Sequence, residues 1–131
     1  MNSIVQVSCA VIINQHNKVL AVQRSEKMSM PLKWEFPGGK IEVDESPEDA
    51  LIREIHEELD VQIEIINSLT PTSHDYDKFQ IRLLPFLAKI TSGTIVLKEH
   101  NNMLWIKQSE LSSLDWAAAD VPIVKEIQNS I

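Results

Sequence analysis

Glu54, Glu57 and Glu58 lie within the run Arg53-Glu54-Ile55-His56-Glu57-Glu58, at i, i+3 and i+4. On a helix this spacing puts three carboxylates on one arc of about 100°. Like charges at such spacing destabilise a helix. A hard divalent cation with a preference for oxygen ligands turns that repulsion into binding energy. A plain solvated acidic face is the bland alternative. It leaves unexplained the Gly38-Gly39 pair, Glu45 ahead of the helix and Arg53 among the acids.

The start of this helix is written in the sequence. Ser46 is suited to the N-cap, Pro47 to the first helical position, and Glu48 and Asp49 to the first turn. Leu51, Ile52, Ile55 and Leu59 form an apolar stripe beside the acidic arc and not opposite it. Such a helix packs along one side and shows its carboxylates into a cleft. Ala50 falls on the acidic side, where a small residue leaves room for metal and phosphate.

The rest of the chain reads as strands around this helix. Residues 4–13 are apolar and β-branched, with a turn at 15–18 and a returning hairpin strand at 19–23. Residues 25–32 read as a mobile polar loop, and 34–39 as an extended segment entering a tight Gly-Gly turn. Further strands are expected at 61–66, 79–90, 94–97 and 103–106, and a last helix at 121–128. Strands interleaved with two helices give a mixed-sheet α/β domain. With 131 residues and 44% apolar content, the chain is expected to be a single domain, 1–131.

A net charge of −7 argues against a nucleic-acid groove, which needs a basic stripe. It leaves a nucleotide substrate open, because a bound cation inverts local electrostatics. The single cysteine, Cys9, sits in an apolar run and reads as a small buried hydrophobe. No stretch has the roughly 20 apolar residues of a membrane span. No signal-peptide pattern opens the chain, and a cytoplasmic location is expected. A monomer and a homodimer fit equally.

Gly39, five residues, Glu45, seven residues, then Arg53 to Glu58 resembles the signature box of the Nudix hydrolases. The family pattern continues with a glycine where this chain has Asp60. That glycine ends the helix in a left-handed conformation, which Asp can adopt at some cost. The resemblance implies a mixed sheet sandwiched between helices and Mg²⁺ (or Mn²⁺) held by Glu54, Glu57, Glu58 and the Gly38 carbonyl. It implies that Arg53 orients a neighbouring carboxylate, for which a surface i,i+4 pair with Glu57 is the simple alternative. Glu45 would face the same cleft. Glu99, on a loop, occupies the place of a further metal-ligand or base glutamate, and an exposed loop acid fits it as well. Glu54 is the first candidate for general base and Glu99 the second.

The segment from Trp34 to Lys40 resembles the MutT-like, 8-oxo-dGTP diphosphatase branch of the family. This implies substrate contacts from Glu35, Phe36, Pro37, Gly38 and Lys40, with Phe36 in the base pocket. Arg24 and Lys40 are the cations placed for phosphate, and either fits a solvated surface residue equally. Ala118-Ala119-Asp120-Val121-Pro122 resembles the element that reads the base, although Asp120 also suits an N-cap. Tyr76 and Phe79 fit packing better than the pocket. No zinc-type His/Cys spacing and no Ser or Cys nucleophile motif is present. The expected activity is metal-dependent hydrolysis of a nucleoside triphosphate, 8-oxo-dGTP ahead of CTP or dCTP, to monophosphate and pyrophosphate. A catalytically inactive nucleotide-binding module is the alternative of another class. Loss of a helix glutamate would mark it, and all three are present.

Overall fold

A computed structural model of the chain describes residues 3–130. The strands are β1 (Ser3–Ile12), β2 (Lys18–Gln23), β3 (Trp34–Glu35), β4 (Gly38–Lys40), β5 (Gln62–Ser68), β6 (Thr72–Asp75), β7 (Phe79–Ser92) and β8 (Asn102–Lys107). The helices are α1 (Pro47–Leu59) and α2 (Val121–Ser130), with short 3₁₀ turns at Gln108–Ser113 and Ala118–Asp120.

Two sheets share the core. The larger runs β4-β1-β7-β5, with β6 also on β7; β1 and β7 are parallel and the other pairings antiparallel. The smaller is antiparallel, in the order β3-β2-β8. The second half of β1, residues 9–12, and residues 19–22 of β2 are continuous apolar runs because both of their faces are buried there. Ala10, Ile12, Leu20 and Val22 pack with Leu51, Ile55 and Leu59 of α1. Cys9, Val11, Val19 and Ala21 pack with Ile123, Val124 and Ile127 of α2. Each fully buried Leu or Ile of α1 contributes about 1.5–3 kcal/mol by leaving water. The mixed sheet between helices is therefore as expected.

The ends of α1 follow the sequence signals. Ser46 Oγ accepts the Asp49 N–H at 3.1 Å, with Pro47 in the first turn. Asp60 closes the helix at φ 61°, and its N–H donates to the His56 carbonyl at 3.0 Å. Asp fills the left-handed position that the family gives to glycine.

Three expectations are corrected. β1 and β2 do not form a ladder with each other; beyond the Asn14–Lys18 bond and the single Ile13–Val19 bridge they part into different sheets. Residues 94–97 form no strand, because their backbone is used elsewhere: Val96 N–H donates to the Leu59 carbonyl and Lys98 N–H to that of Glu58. They satisfy two of the carbonyls that a helix C-terminus leaves open. Gly38 and Gly39 are strand residues, antiparallel to Cys9 and Ser8, and neither has a positive φ.

Candidate active site

Close approach explains the two glycines. A Cβ on Gly38 would collide with the Ser8 carbonyl and come within 2.7 Å of the Cys9 Cα, and one on Gly39 would occupy the Glu54 carboxyl. The pair lets β4 pass flush against β1 on one side and the acidic face of α1 on the other.

Arg53 organises that face. Its Nε donates to Glu45 Oε2 at 2.7 Å and its Nη2 to Glu45 Oε1 at 3.0 Å. Nη1 donates to Glu54 Oε1 at 2.9 Å and to Glu57 Oε2 at 3.2 Å, and Nη2 also reaches the Lys40 carbonyl at 3.2 Å. The i,i+4 pair with Glu57 and the orienting contact to Glu54 are thus both made. The hydrogen bonds from Arg53 hold the Glu45 carboxyl below its usual range, and the Glu42 N–H donates to it as well.

Glu58 is not among the partners of Arg53, and its neighbour in the cluster is Glu54. Glu58 Oε2 is buried with no hydrogen-bond partner among the described residues. Burial, reinforced by the charges of Glu54, Glu99 and Glu35, pushes its carboxyl up to about 8. Among the described residues no three His, Cys, Asp or Glu side chains already form a group that would hold a metal ion. Glu54 and Glu57 have oxygens turned to Arg53. An orphaned buried carboxylate oxygen, beside a second carboxylate against which the backbone lies flush, nonetheless fits a hard cation in ligand type and charge. A cation here would supply the partner that Glu58 lacks.

Glu35 links two further segments. Its Oε1 accepts from Arg24 Nη1 at 2.7 Å, and its Oε2 accepts from His100 Nε2 at 2.8 Å. Arg24 also donates from Nε to the Ser29 carbonyl at 2.6 Å and from Nη2 to Ser29 Oγ at 3.1 Å. This ties loop 25–32 to the end of β2. Glu99, next to the buried His100, is exposed at the cavity rim. Lys40 is exposed, with its carbonyl in the Arg53 network.

Phe36 is buried and stacked on Trp116, with ring centroids 4.6 Å apart. Its N–H donates to Asp120 Oδ2 at 2.9 Å. Asp120 therefore does not cap α2. Burial raises its carboxyl to about 8, with the Glu35 charge adding to the rise. The rise favours the protonated form of Asp120, which can donate as well as accept.

One cavity of about 330 Å³ joins these parts. Its apolar wall includes Val7, Cys9, Phe36, Ile81, Leu83 and Ala119, with Asp120. Its polar wall includes Arg24, Glu35, Lys40, Glu58, Glu99 and His100, with Gly38 and Gly39. Glu45, Arg53, Glu54 and Glu57 stand behind Gly39 and Lys40, and Pro37 supports β1 through its carbonyl to the Ala10 N–H at 2.8 Å. Tyr76 packs against His74 and Phe79 as expected and lines the cavity as well. His100 and Tyr76 carry no spacing signal. Each meets its partner across the fold, His100 across 65 positions and Tyr76 across 43.

Residues 3–127 match the NUDIX domain model, and the chain belongs to that family. It is 41% identical over 81 residues to an 8-oxo-dGTP diphosphatase of Proteus vulgaris, covering 62% of this chain and 72% of that protein. It is 31% identical over 116 residues to the CTP pyrophosphohydrolase of Escherichia coli K12, covering 88% and 86%. The solution NMR structure of the DNA mismatch repair protein MutT (family Nudix hydrolase) from methicillin-resistant Staphylococcus aureus 252 superposes with a TM-score of 0.81. It shares 41% identity, with both chains fully covered. Within the family this chain is a MutT-like Nudix hydrolase, an enzyme that cleaves acid anhydrides of nucleotides.

Proposed function

We propose that this hydrolase is Mg²⁺-dependent (Mn²⁺ substituting) and converts nucleoside triphosphates to monophosphates and pyrophosphate, with 8-oxo-dGTP preferred. The cavity beside Gly38 and Asp120 carries this reading: it joins an apolar, aromatic pocket with one buried acid to a wall of carboxylates and cations. The first suits a base and the second a triphosphate. The names of the 8-oxo-dGTP diphosphatase relatives support the oxidised purine.

Glu54, Glu57, Glu58, Glu99 and the Gly38 carbonyl would hold the cation, which when bound neutralises phosphate charge and acidifies water. Arg53 keeps Glu54 in place with one N–H and is itself fixed by the Glu45 fork. Glu54 then takes the proton of the attacking water, with Glu99 the second candidate for this role. The water oxygen bonds to the α- or β-phosphorus, and the bond from that phosphorus to the α,β-bridging oxygen breaks. The bridging oxygen departs with the other product, giving monophosphate and pyrophosphate without a covalent intermediate. Lys40 acts on the phosphates as a point charge. Arg24, pinned by Glu35 and Ser29, offers what remains of its guanidinium. Phe36 supplies the base pocket with an apolar face. Asp120 uses Oδ2 on the Phe36 N–H and has Oδ1 left for the base.

The CTP pyrophosphohydrolase relative supports a second substrate reading, because cytosine also fits a pocket with one acid. Pyrophosphate release from 8-oxo-dGTP, dGTP, CTP and dCTP, with and without Mg²⁺, decides between them. Higher kcat/KM on CTP or dCTP than on 8-oxo-dGTP would overturn the oxidised-purine preference. Equal rates without any divalent cation would overturn the metal dependence.

A further inference from the structure

Tyr76 sits in the turn between β6 and β7, where its own N–H donates to the Phe79 carbonyl at 2.8 Å. Its ring is half-buried, packed edge-on to His74 at 4.6 Å and tilted against Phe79 at 5.4 Å, so its direction is set by neighbours on both sides. The hydroxyl reaches across the cavity wall to the Ala118–Asp120 turn and accepts the Ala119 N–H at 3.2 Å. That N–H is one of the donors that the start of a helical turn leaves without a partner.

A phenol that accepts a hydrogen bond still has its own proton to give. Among the described residues nothing accepts the Tyr76 proton: the Ala119 contact is the hydroxyl's one hydrogen bond. The group thus stands at the cavity wall as an oriented donor with an unused proton. It also grips the turn immediately before Asp120. Ionised phosphate oxygens belong at the cationic wall with Arg24 and Lys40. The acceptors that a nucleotide brings to an apolar wall are those of its base.

We propose that Tyr76 is a specificity-determining residue, whose hydroxyl, held by Ala119, donates its proton to a carbonyl oxygen of the nucleobase. This rests on the reading given above that the apolar wall receives the base. It adds a preference for bases that carry a carbonyl oxygen, such as cytosine, guanine and 8-oxoguanine, over adenine and 2-aminopurine, which carry none. Asp120 alone does not supply it, since an exocyclic amine is enough to pair with one acid.

The test is equilibrium binding of nucleoside monophosphates to wild type and Tyr76→Phe. The substitution keeps the ring contacts with His74 and Phe79. Ligands are dGMP, 8-oxo-dGMP and the deoxyribonucleoside monophosphate of 2-aminopurine, which keeps an exocyclic amine and has no carbonyl. Tyr76→Phe is expected to weaken the two oxo-bases by about 5- to 10-fold, the loss of one hydrogen bond, and to leave 2-aminopurine unchanged. A thermal melt of the variant accompanies the titration. Equal weakening of all three ligands would mean that the hydroxyl only braces the turn, and would overturn the proposal. So would unchanged binding of all three. A wild-type protein that binds none of the three overturns both the proposal and the placement of the base. Absence of triphosphate hydrolysis, with the selective loss still seen, sinks the assigned reaction and leaves Tyr76 as the reader of the base.

Discussion

Arg53 grips Glu45 with two nitrogens, Nε at 2.7 Å and Nη2 at 3.0 Å, across eight positions and the N-terminus of α1. The pairing makes Glu45 an anchor for the arginine, and the arginine in turn orders Glu54 and Glu57. The acidic face is thus assembled by a cation belonging to the protein, while Glu58 Oε2 has no hydrogen-bond partner among the described residues.

Arg53→Lys should cost activity out of proportion to its conservative charge. Lysine provides a point charge where the site uses a planar fork to reach three carboxylates and the Lys40 carbonyl. We expect kcat to fall at least about 10-fold, with stability lower by about 1–2 kcal/mol. Steady-state kinetics and urea unfolding measure the two effects, and unchanged kcat would mean that Arg53 is a surface partner only.

Asp60→Gly should stabilise the protein by about 0.5–1 kcal/mol. Asp60 holds φ 61°, where an L side chain is strained and glycine is not, and the added freedom of glycine in the unfolded chain offsets part of the gain. The contact it loses is a 4.0 Å exposed pair with Lys98, which contributes little. Denaturant midpoints of the two proteins check the sign, and a lower midpoint for the glycine variant would show that the aspartate side chain is needed.

The pH dependence of stability isolates Asp120. Its folded carboxyl lies at about 8, against an ordinary 3.8, because it is buried. From about pH 4 to 8 the folded state holds a proton that the unfolded state has released. Stability from this group is therefore full below about pH 4, falls as pH rises, and levels off above about 8. Glu58 adds a slope of the same sign, so the difference between two proteins is the useful quantity. Asp120→Asn keeps an oxygen for the Phe36 N–H. Its stability advantage over wild type should be smallest near pH 4 and grow up to about pH 8. A difference that does not vary with pH would contradict the shifted carboxyl.

Much of this was legible in the sequence, and the reasons differ by element. α1 could be read because its cap, first-turn proline, apolar stripe and acidic arc are all local. β1 and β2 were visible as strands, but residues 9–12 and 19–22 are covered on both faces, and the turn at 15–18 leads into a second sheet and not into a hairpin ladder. Residues 94–97 have a strand's β-branched content. What they bond is the end of α1, which composition does not encode. The Gly38-Gly39 pair signalled an unusual backbone, and the cause is the nearness of Ser8, Cys9 and Glu54, not the torsion. Asp120 was singled out by its motif, whereas its bond to Phe36 spans 84 positions and its protonation follows from burial.

Added Mg²⁺ should raise the melting temperature, since a cation bound to native carboxylates stabilises the folded state by mass action. Replacing Glu54, Glu57 and Glu58 together by glutamine should abolish the rise. A shift that survives the triple substitution would put the stabilising cation elsewhere.

The most direct test of the account is turnover by Glu54→Gln and Glu58→Gln at saturating Mg²⁺, read as pyrophosphate release from a nucleoside triphosphate. Both side chains keep their size, and the fold should stay intact: Glu58→Gln replaces a buried carboxyl already pushed toward its neutral form, and Glu54→Gln keeps an oxygen for the Arg53 N–H. Each variant is expected to lose about 100-fold or more in kcat while still melting cooperatively in the absence of metal. Near-wild-type turnover in both would contradict the account.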